Sequence, residues 1–76
     1  MSEFDAAINA GIVLRNLIKQ NYPSQEEFAF DFGADIRTIS RYINQGINKV
    51  DMLQLLAEFF NISISQFFIP VDRNEE

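Results

Sequence analysis

Cysteine and histidine are both absent from the 76 residues of this chain. Without cysteine the chain can form neither disulfide bonds nor thiolate metal sites, and such a composition is typical of a reducing compartment. Without either residue, the usual zinc sites and the Ser-His and Cys-His relays of nucleophilic enzymes cannot be assembled. The eleven carboxylates show no paired spacing that indicates acid-base catalysis. We therefore expect neither an enzyme nor a cofactor.

Long apolar runs are absent as well. No stretch approaches the roughly 18 to 20 apolar residues that a membrane-spanning helix needs, and the opening MSEFDAA is acidic where a secretory signal is basic. These features predict a cytoplasmic protein without a membrane contact. A chain of 76 residues has room for one small core. We expect one domain over residues 1–70 and a flexible acidic tail over residues 71–76.

Apolar residues recur at three- and four-residue steps along most of the chain, which is the spacing of amphipathic helices. Asp5 is placed to begin the first helix and Pro23 to stop it. The five predicted helices cover residues 5–21, 24–33, 36–44, 50–60 and 63–68. The pattern therefore predicts an all-α fold, a compact domain of five helices.

Residues 24–46 read SQEEFAFDFGADIRTISRYINQG and predict two helices joined by a tight turn. Ser24 opens a Ser-x-x-Glu segment, which is a strong signal for the start of a helix. Gly33 can adopt the left-handed conformation that ends a helix. Ala29 is small enough to let two helix axes approach, and Ile39 is placed to seat the second helix on the first. This spacing is that of a helix-turn-helix.

These residues resemble the lambda-repressor and Cro-like (XRE-type) helix-turn-helix family, over about residues 10–68. The Ser-Gln-Glu-Glu opening, the Thr-Ile-Ser-Arg of the third helix and the ending LLAEFFNISISQFF are all similar to that family's sequences. The resemblance implies a five-helix domain that binds double-stranded DNA as a homodimer, with the third helix in the major groove. It further implies a transcriptional regulator, and a repressor in particular.

The resemblance also implies which side chains contact DNA. The positions expected to read base edges are Ile36, Arg37, Thr38 and Arg41. The positions expected to contact phosphates are Ser24, Gln25, Asn44, Gln45, Asn48 and Lys49. An arginine can donate two hydrogen bonds to O6 and N7 of guanine, and a helix N-terminus suits a phosphate. Two arginines four residues apart are also common on an ordinary solvated helix face.

The distribution of charge favours the DNA-binding hypothesis over that plainer alternative. The net charge of -5 by itself argues against binding to a polyanion. Residues 36–50, however, contain Arg37, Arg41 and Lys49 and no acid, while the rest of the chain holds all eleven carboxylates. Such a chain can present one basic face to DNA. Asp35 stands where the family usually has Ser or Thr, and an acid there weakens binding unless helix capping turns it inward.

Apolar residues outside the predicted core indicate a protein partner. Phe30 points away from the inner face of its helix, and Phe68, Ile69 and Val71 follow the last core residue. We favour a homodimer contact through the C-terminal cluster, although this cluster also fits a lid folded over the core. A second hypothesis for function is an acidic protein-binding module of the same fold, similar to an anti-repressor or antitoxin, that captures another protein.

Overall fold

The computed structural model describes residues 5–71, which contain four α-helices and one 3-10 helix. The α-helices are α1 (Ala6–Asn21), α2 (Gln25–Phe32), α3 (Ile36–Gln45) and α4 (Val50–Phe60). No strand occurs in this range, so the all-α prediction is confirmed for the described residues. Of the predicted acidic tail over residues 71–76, only Val71 lies within the described residues.

The prediction of five α-helices is wrong for the last one, because Ile64–Phe68 forms a 3-10 helix. The hydroxyl of Ser63 caps this helix, and the N–H of Ile69 closes its last turn on the carbonyl of Gln66. An α-helical turn would need the N–H of the residue at position 70 as the donor to Gln66. That residue is Pro70, which has no N–H, so the last turn cannot close as an α-helical turn.

Side-chain caps satisfy free N–H groups at the start of α1, α2 and α3, whereas α4 begins after Lys49 without a side-chain cap. A carboxylate oxygen of Asp5 accepts from the N–H of Ile8 at 3.1 Å, and the Ser24 hydroxyl accepts from the N–H of Glu27 at 3.2 Å. Asp35 caps α3 in the same way. A Ser-x-x-Glu segment can also form a return bond from the Glu side chain to the Ser backbone, but no such bond from Glu27 to Ser24 is among the hydrogen bonds of the described residues. These caps fix where α1, α2 and α3 start, as the sequence predicted.

Eleven buried apolar residues form one core between the helices. They are Ala10, Leu14, Ile18, Phe28, Ala29, Ile39, Ile47, Leu53, Leu56, Ala57 and Phe67. Phe28 is fully buried at the centre of an aromatic cluster, stacked on Phe32 at 5.4 Å and on Phe60 at 5.4 Å between ring centroids. The rings of Tyr22 and Phe59 meet Phe28 edge-on. This cluster joins α2 to α4 and to the end of α1.

The backbones of α1 and α3 approach each other at Gly11. A methyl group at this position would collide with the carbonyl oxygen of Tyr42 and lie 3.1 Å from that of Ile43. The chain after α3 is then held against the start of α1, where the N–H of Ile47 donates to the carbonyl of Ala7 at 2.9 Å. The position of α3 on the molecule therefore depends on the absence of a side chain at Gly11.

The C-terminal segment folds back onto α1 through one buried side chain. Asn9, only 5% exposed, donates from Nδ2 to the carbonyl oxygens of Phe67 at 3.1 Å and of Ile69 at 2.8 Å. Its Oδ1 accepts from the N–H of Val71 at 3.0 Å. The segment therefore packs against α1 and α4, while Phe68 and Ile69 keep exposed surface.

Candidate nucleic-acid interface

α2 and α3 are joined by only three residues, and a glycine reverses the chain between them. Gly33 has φ +88°, which is the left-handed conformation, and its N–H donates to the carbonyl of Ala29 at 2.9 Å. The N–H of Ala34 donates to the same carbonyl at 2.9 Å. Ala29 and Ile39 are both buried where α2 packs on α3. The turn and this packing leave the opposite face of α3 open.

The open face of α3 carries two arginines, four residues apart. The side chain of Arg37 is 89% exposed, and Arg41 is exposed too. Thr38 is half-buried, and Ile36 is half-buried against the core. The predicted base-reading set therefore divides into two exposed cations and two half-buried neighbours.

Asp35 contacts Arg37 through two hydrogen bonds. Its Oδ1 accepts the backbone N–H of Arg37 at 2.8 Å, and the Nε of the guanidinium lies 3.4 Å from the same oxygen. The backbone bond and then the guanidinium hold the pKa of Asp35 below its ordinary value, because both favour the carboxylate. Asp35 is 53% exposed. Capping therefore does not turn its carboxylate inward, a possibility that the sequence alone had left open. No second ion pair occurs within residues 5–71, where Arg41 meets no carboxylate.

The predicted phosphate positions lie at both ends of the α2–α3 pair. Ser24 is occupied as the α2 cap and Gln25 is half-buried beside it. At the other end, the side chains of Asn44, Gln45, Asn48 and Lys49 are exposed. Gln45 was predicted to lie in a loop, but it is the last residue of α3, because the N–H of Gly46 still donates to the carbonyl of Tyr42 at 2.9 Å.

A groove of about 610 Å³ separates the end of α1 from the start of α2 and the first turn of α3. Arg15 and Lys19 line its α1 side, across from Ser24 and Gln25, and Glu26 also borders it. Both cations were missed as site residues by the sequence analysis, because two basic residues four apart on a helix look like a solvated face. The fold brings them next to predicted phosphate positions.

The charges of the described residues are divided between helices. Arg15 and Lys19 lie on α1, Arg37 and Arg41 on α3, and Lys49 follows α3. By contrast, α2 and α4 together carry five carboxylates and no cation. The acidic net charge is therefore concentrated on elements other than α3.

The predicted partner residues lie on two different elements. Phe30, on α2, is 85% exposed and is the most exposed of the large apolar side chains in residues 5–71. Phe68 and Ile69 are 43% and 51% exposed, on the segment that packs against α1 and α4, and Val71 is half-buried. Phe68 also borders an apolar cavity of about 200 Å³ together with Val50 and Leu53.

Within residues 5–71, no helix combines the length and the apolar character needed to cross a membrane. Comparison of the chain with protein-family models, with curated proteins and with solved structures finds no match. Its function is therefore inferred from the geometry and the charges of α3 and its surroundings.

Proposed function

We propose that this chain is a sequence-specific DNA-binding transcriptional regulator of the lambda-repressor and Cro-like type, which acts in the cytoplasm as a homodimeric repressor. The observation that carries this proposal is the open face of α3. There Arg37 and Arg41 are exposed one helical turn apart, on a helix without carboxylates that α2 and α1 support from behind. A helix of this width fits the major groove of B-DNA.

In this proposal, α3 lies in the major groove and its arginines read base edges. Each guanidinium donates two hydrogen bonds to O6 and N7 of a guanine, which discriminates against other bases by about 1 to 3 kcal/mol per pair. The methyl groups of Thr38 and Ile36 are suited to the methyl group of a thymine. The guanidinium of Arg37 uses Nε toward Asp35, which leaves its two terminal nitrogens for a base.

Phosphate contacts on both sides of α3 would fix its register on the duplex. On one side lie the capped start of α2, with Ser24 and Gln25, and across the groove Arg15 and Lys19. On the other side lie the exposed amides and the cation that follow α3, which are Asn44, Gln45, Asn48 and Lys49. Such contacts supply affinity that does not depend on sequence and that falls as salt rises.

A homodimer would place two copies of α3 in successive major grooves, about 34 Å apart. The exposed apolar surface of Phe68 and Ile69, with Val71 behind it, is the contact we favour for the second copy. This surface belongs to a segment that Asn9 holds in place, so a contact there would be rigid enough to set the spacing of two half-sites.

The test begins with selection of bound sites from a pool of random duplex DNA, followed by titration of the selected site and a scrambled duplex. We expect the selected site to bind at least 100-fold more tightly, with a steep loss of affinity as salt rises. Replacing Arg37 and Arg41 together by Ala should remove most of this preference. Gln54→Ala, on the exposed face of α4, is the matched control and should bind like the unmodified chain. Equal binding to both duplexes would refute the proposal.

A further inference from the structure

A second exposed surface lies on α4, away from α3. Leu55 and Phe59 are four residues apart on this helix and remain 51% and 39% exposed. The ring of Phe59 meets that of Phe32 at right angles, with 5.2 Å between centroids, which extends the apolar surface onto α2. We refer to Phe32, Leu55 and Phe59 as the α2–α4 strip. Its members are contiguous, unlike the singly scattered apolar residues of an ordinary surface.

The charged side chains on the two helices of the α2–α4 strip are all acidic. They are Glu26, Glu27, Asp31, Asp51 and Glu58. Asp51 lies one turn before Leu55, and Glu58 adjoins Phe59, where it accepts a hydrogen bond from Gln54 at 3.1 Å. The apolar strip therefore has a carboxylate edge along α4.

This combination of charges decides which occupant the strip suits. DNA is repelled by the carboxylates. A second copy in a two-fold contact would place the same surface against itself, so Asp51 and Glu58 of one chain would face carboxylates of the other. Like charges placed together across an interface disfavour a partner, whereas opposite charges select it. A cationic partner of different sequence is attracted by these carboxylates, and it does not place carboxylates of its own against them.

We propose that the α2–α4 strip docks a basic amphipathic helix of another protein. In this complex, apolar residues of the partner cover Leu55 and Phe59, and its Lys or Arg side chains lie opposite Asp51 and Glu58. The strip includes none of the residues proposed to contact DNA. The docked helix is therefore a second partner, beyond the proposed function, and it can bind while DNA is bound.

The probe for this proposal is a displayed library of helical peptides, with apolar residues at positions four apart and Lys, Glu or Gln elsewhere in equal proportion. Selection on the full chain is expected to enrich peptides that carry Lys beside the apolar positions. Leu55→Gln should weaken the selected peptides by about tenfold, as expected for the loss of one central apolar contact. Val50→Gln is the matched control, because Val50 is on the same helix and is 67% exposed but lies outside the strip, and it should change binding less than twofold.

A second variant tests the charges separately from the apolar contact. Asp51→Asn combined with Glu58→Gln should lower peptide affinity and flatten its dependence on salt, because the paired charges are removed at nearly constant shape. DNA affinity measured on the same variants should stay unchanged, which keeps this test separate from that of the proposed function. No enrichment of basic peptides, equal losses with Leu55→Gln and Val50→Gln, or a homodimer that Leu55→Gln dissolves would overturn the proposal.

Discussion

Asp35 and Arg37 are bound to each other at the first turn of α3, through the backbone N–H at 2.8 Å and the guanidinium at 3.4 Å from one carboxylate oxygen. The residue that starts the helix is therefore also the nearest carboxylate to a side chain proposed to read DNA. It stabilises the helix as a cap, and it places a negative charge beside the proposed path of a phosphate. The cap affects the stability of the fold and the charge affects the affinity for DNA, so the two effects can be measured separately.

Replacing Asp35 by Ser should raise the affinity for the selected duplex by about threefold to tenfold at low salt, because a negative charge near the phosphates is lost. Ser is also a good helix cap, so α3 should keep its start. The gain should shrink as salt rises, which a titration by fluorescence anisotropy can follow. Glu58→Gln removes a carboxylate from α4 and is the control, with no gain expected. Lower affinity in Asp35→Ser would mean that the carboxylate helps to orient Arg37.

The pH dependence of stability should also report on Asp35. Hydrogen bonds from Arg37 lower its folded-state pKa below the ordinary value of 3.8. The stabilisation from such a group is complete above that ordinary value and is lost as pH falls through the lower folded-state pKa. Urea denaturation between pH 7 and pH 2 should therefore show a shallower acid decline for Asp35→Asn, which caps the helix without titrating. If the free energy of unfolding falls equally at low pH in the unmodified chain and in Asp35→Asn, the pKa of Asp35 does not change on folding.

Asn9→Ala should destabilise the fold by about 2 to 3 kcal/mol, because the buried carbonyl of Phe67 and the part-buried carbonyl of Ile69 lose their donor. Hydrogen exchange at the Val71 amide should accelerate in the same variant. The matched control is Asn21→Ala, since Asn21 donates to the carbonyl of Leu17 on the exposed end of α1. Surface changes of that kind usually stay within about 0.5 kcal/mol. Equal stabilities of the two variants would contradict the bridging role of Asn9.

Gly11→Ala distinguishes helix propensity from packing. Propensity alone predicts that this substitution stabilises α1 by about 1 kcal/mol. The collision with the Tyr42 carbonyl predicts instead a loss of about 3 kcal/mol, since the backbone of α3 must move. Gly33→Ala is the comparison, because its surroundings are open and only its φ of +88° is unfavourable, at about 1 to 2 kcal/mol. Thermal unfolding of the unmodified chain, Gly11→Ala and Gly33→Ala measures the change in stability that each substitution causes.

Local signals in the sequence predicted most of the helix boundaries. The caps at Asp5, Ser24 and Asp35 and the left-handed Gly33 each depend on neighbours within four residues, so the sequence alone contains them. The 3-10 helix was missed because its apolar spacing resembles that of an α-helix. The effect of Pro70 appears only when the hydrogen bonds of Gln66 are assigned.

Contacts between distant parts of the chain could not be predicted in the same way. The partners of Asn9 lie 58 to 62 residues away, and no local pattern marks a polar residue on a helix as a bridge to the C-terminal segment. The requirement for glycine at position 11 comes from α3, which lies about 30 residues further along the chain. For the candidate interface, the exposure of Arg37 and Arg41 follows from the pattern of α3. The place of Arg15 and Lys19 beside Ser24 depends on how α1 packs.

An NMR titration of the full chain with the duplex selected from random DNA tests the central claim most directly. If α3 reads the major groove, the largest shifts should fall on the amides of residues 36–41 and on those of Ser24 and Gln25. Intermolecular contacts should join the side chains of Arg37 and Arg41 to guanine bases. Shifts confined to α4, or a spectrum that does not respond to the selected duplex, would contradict the account.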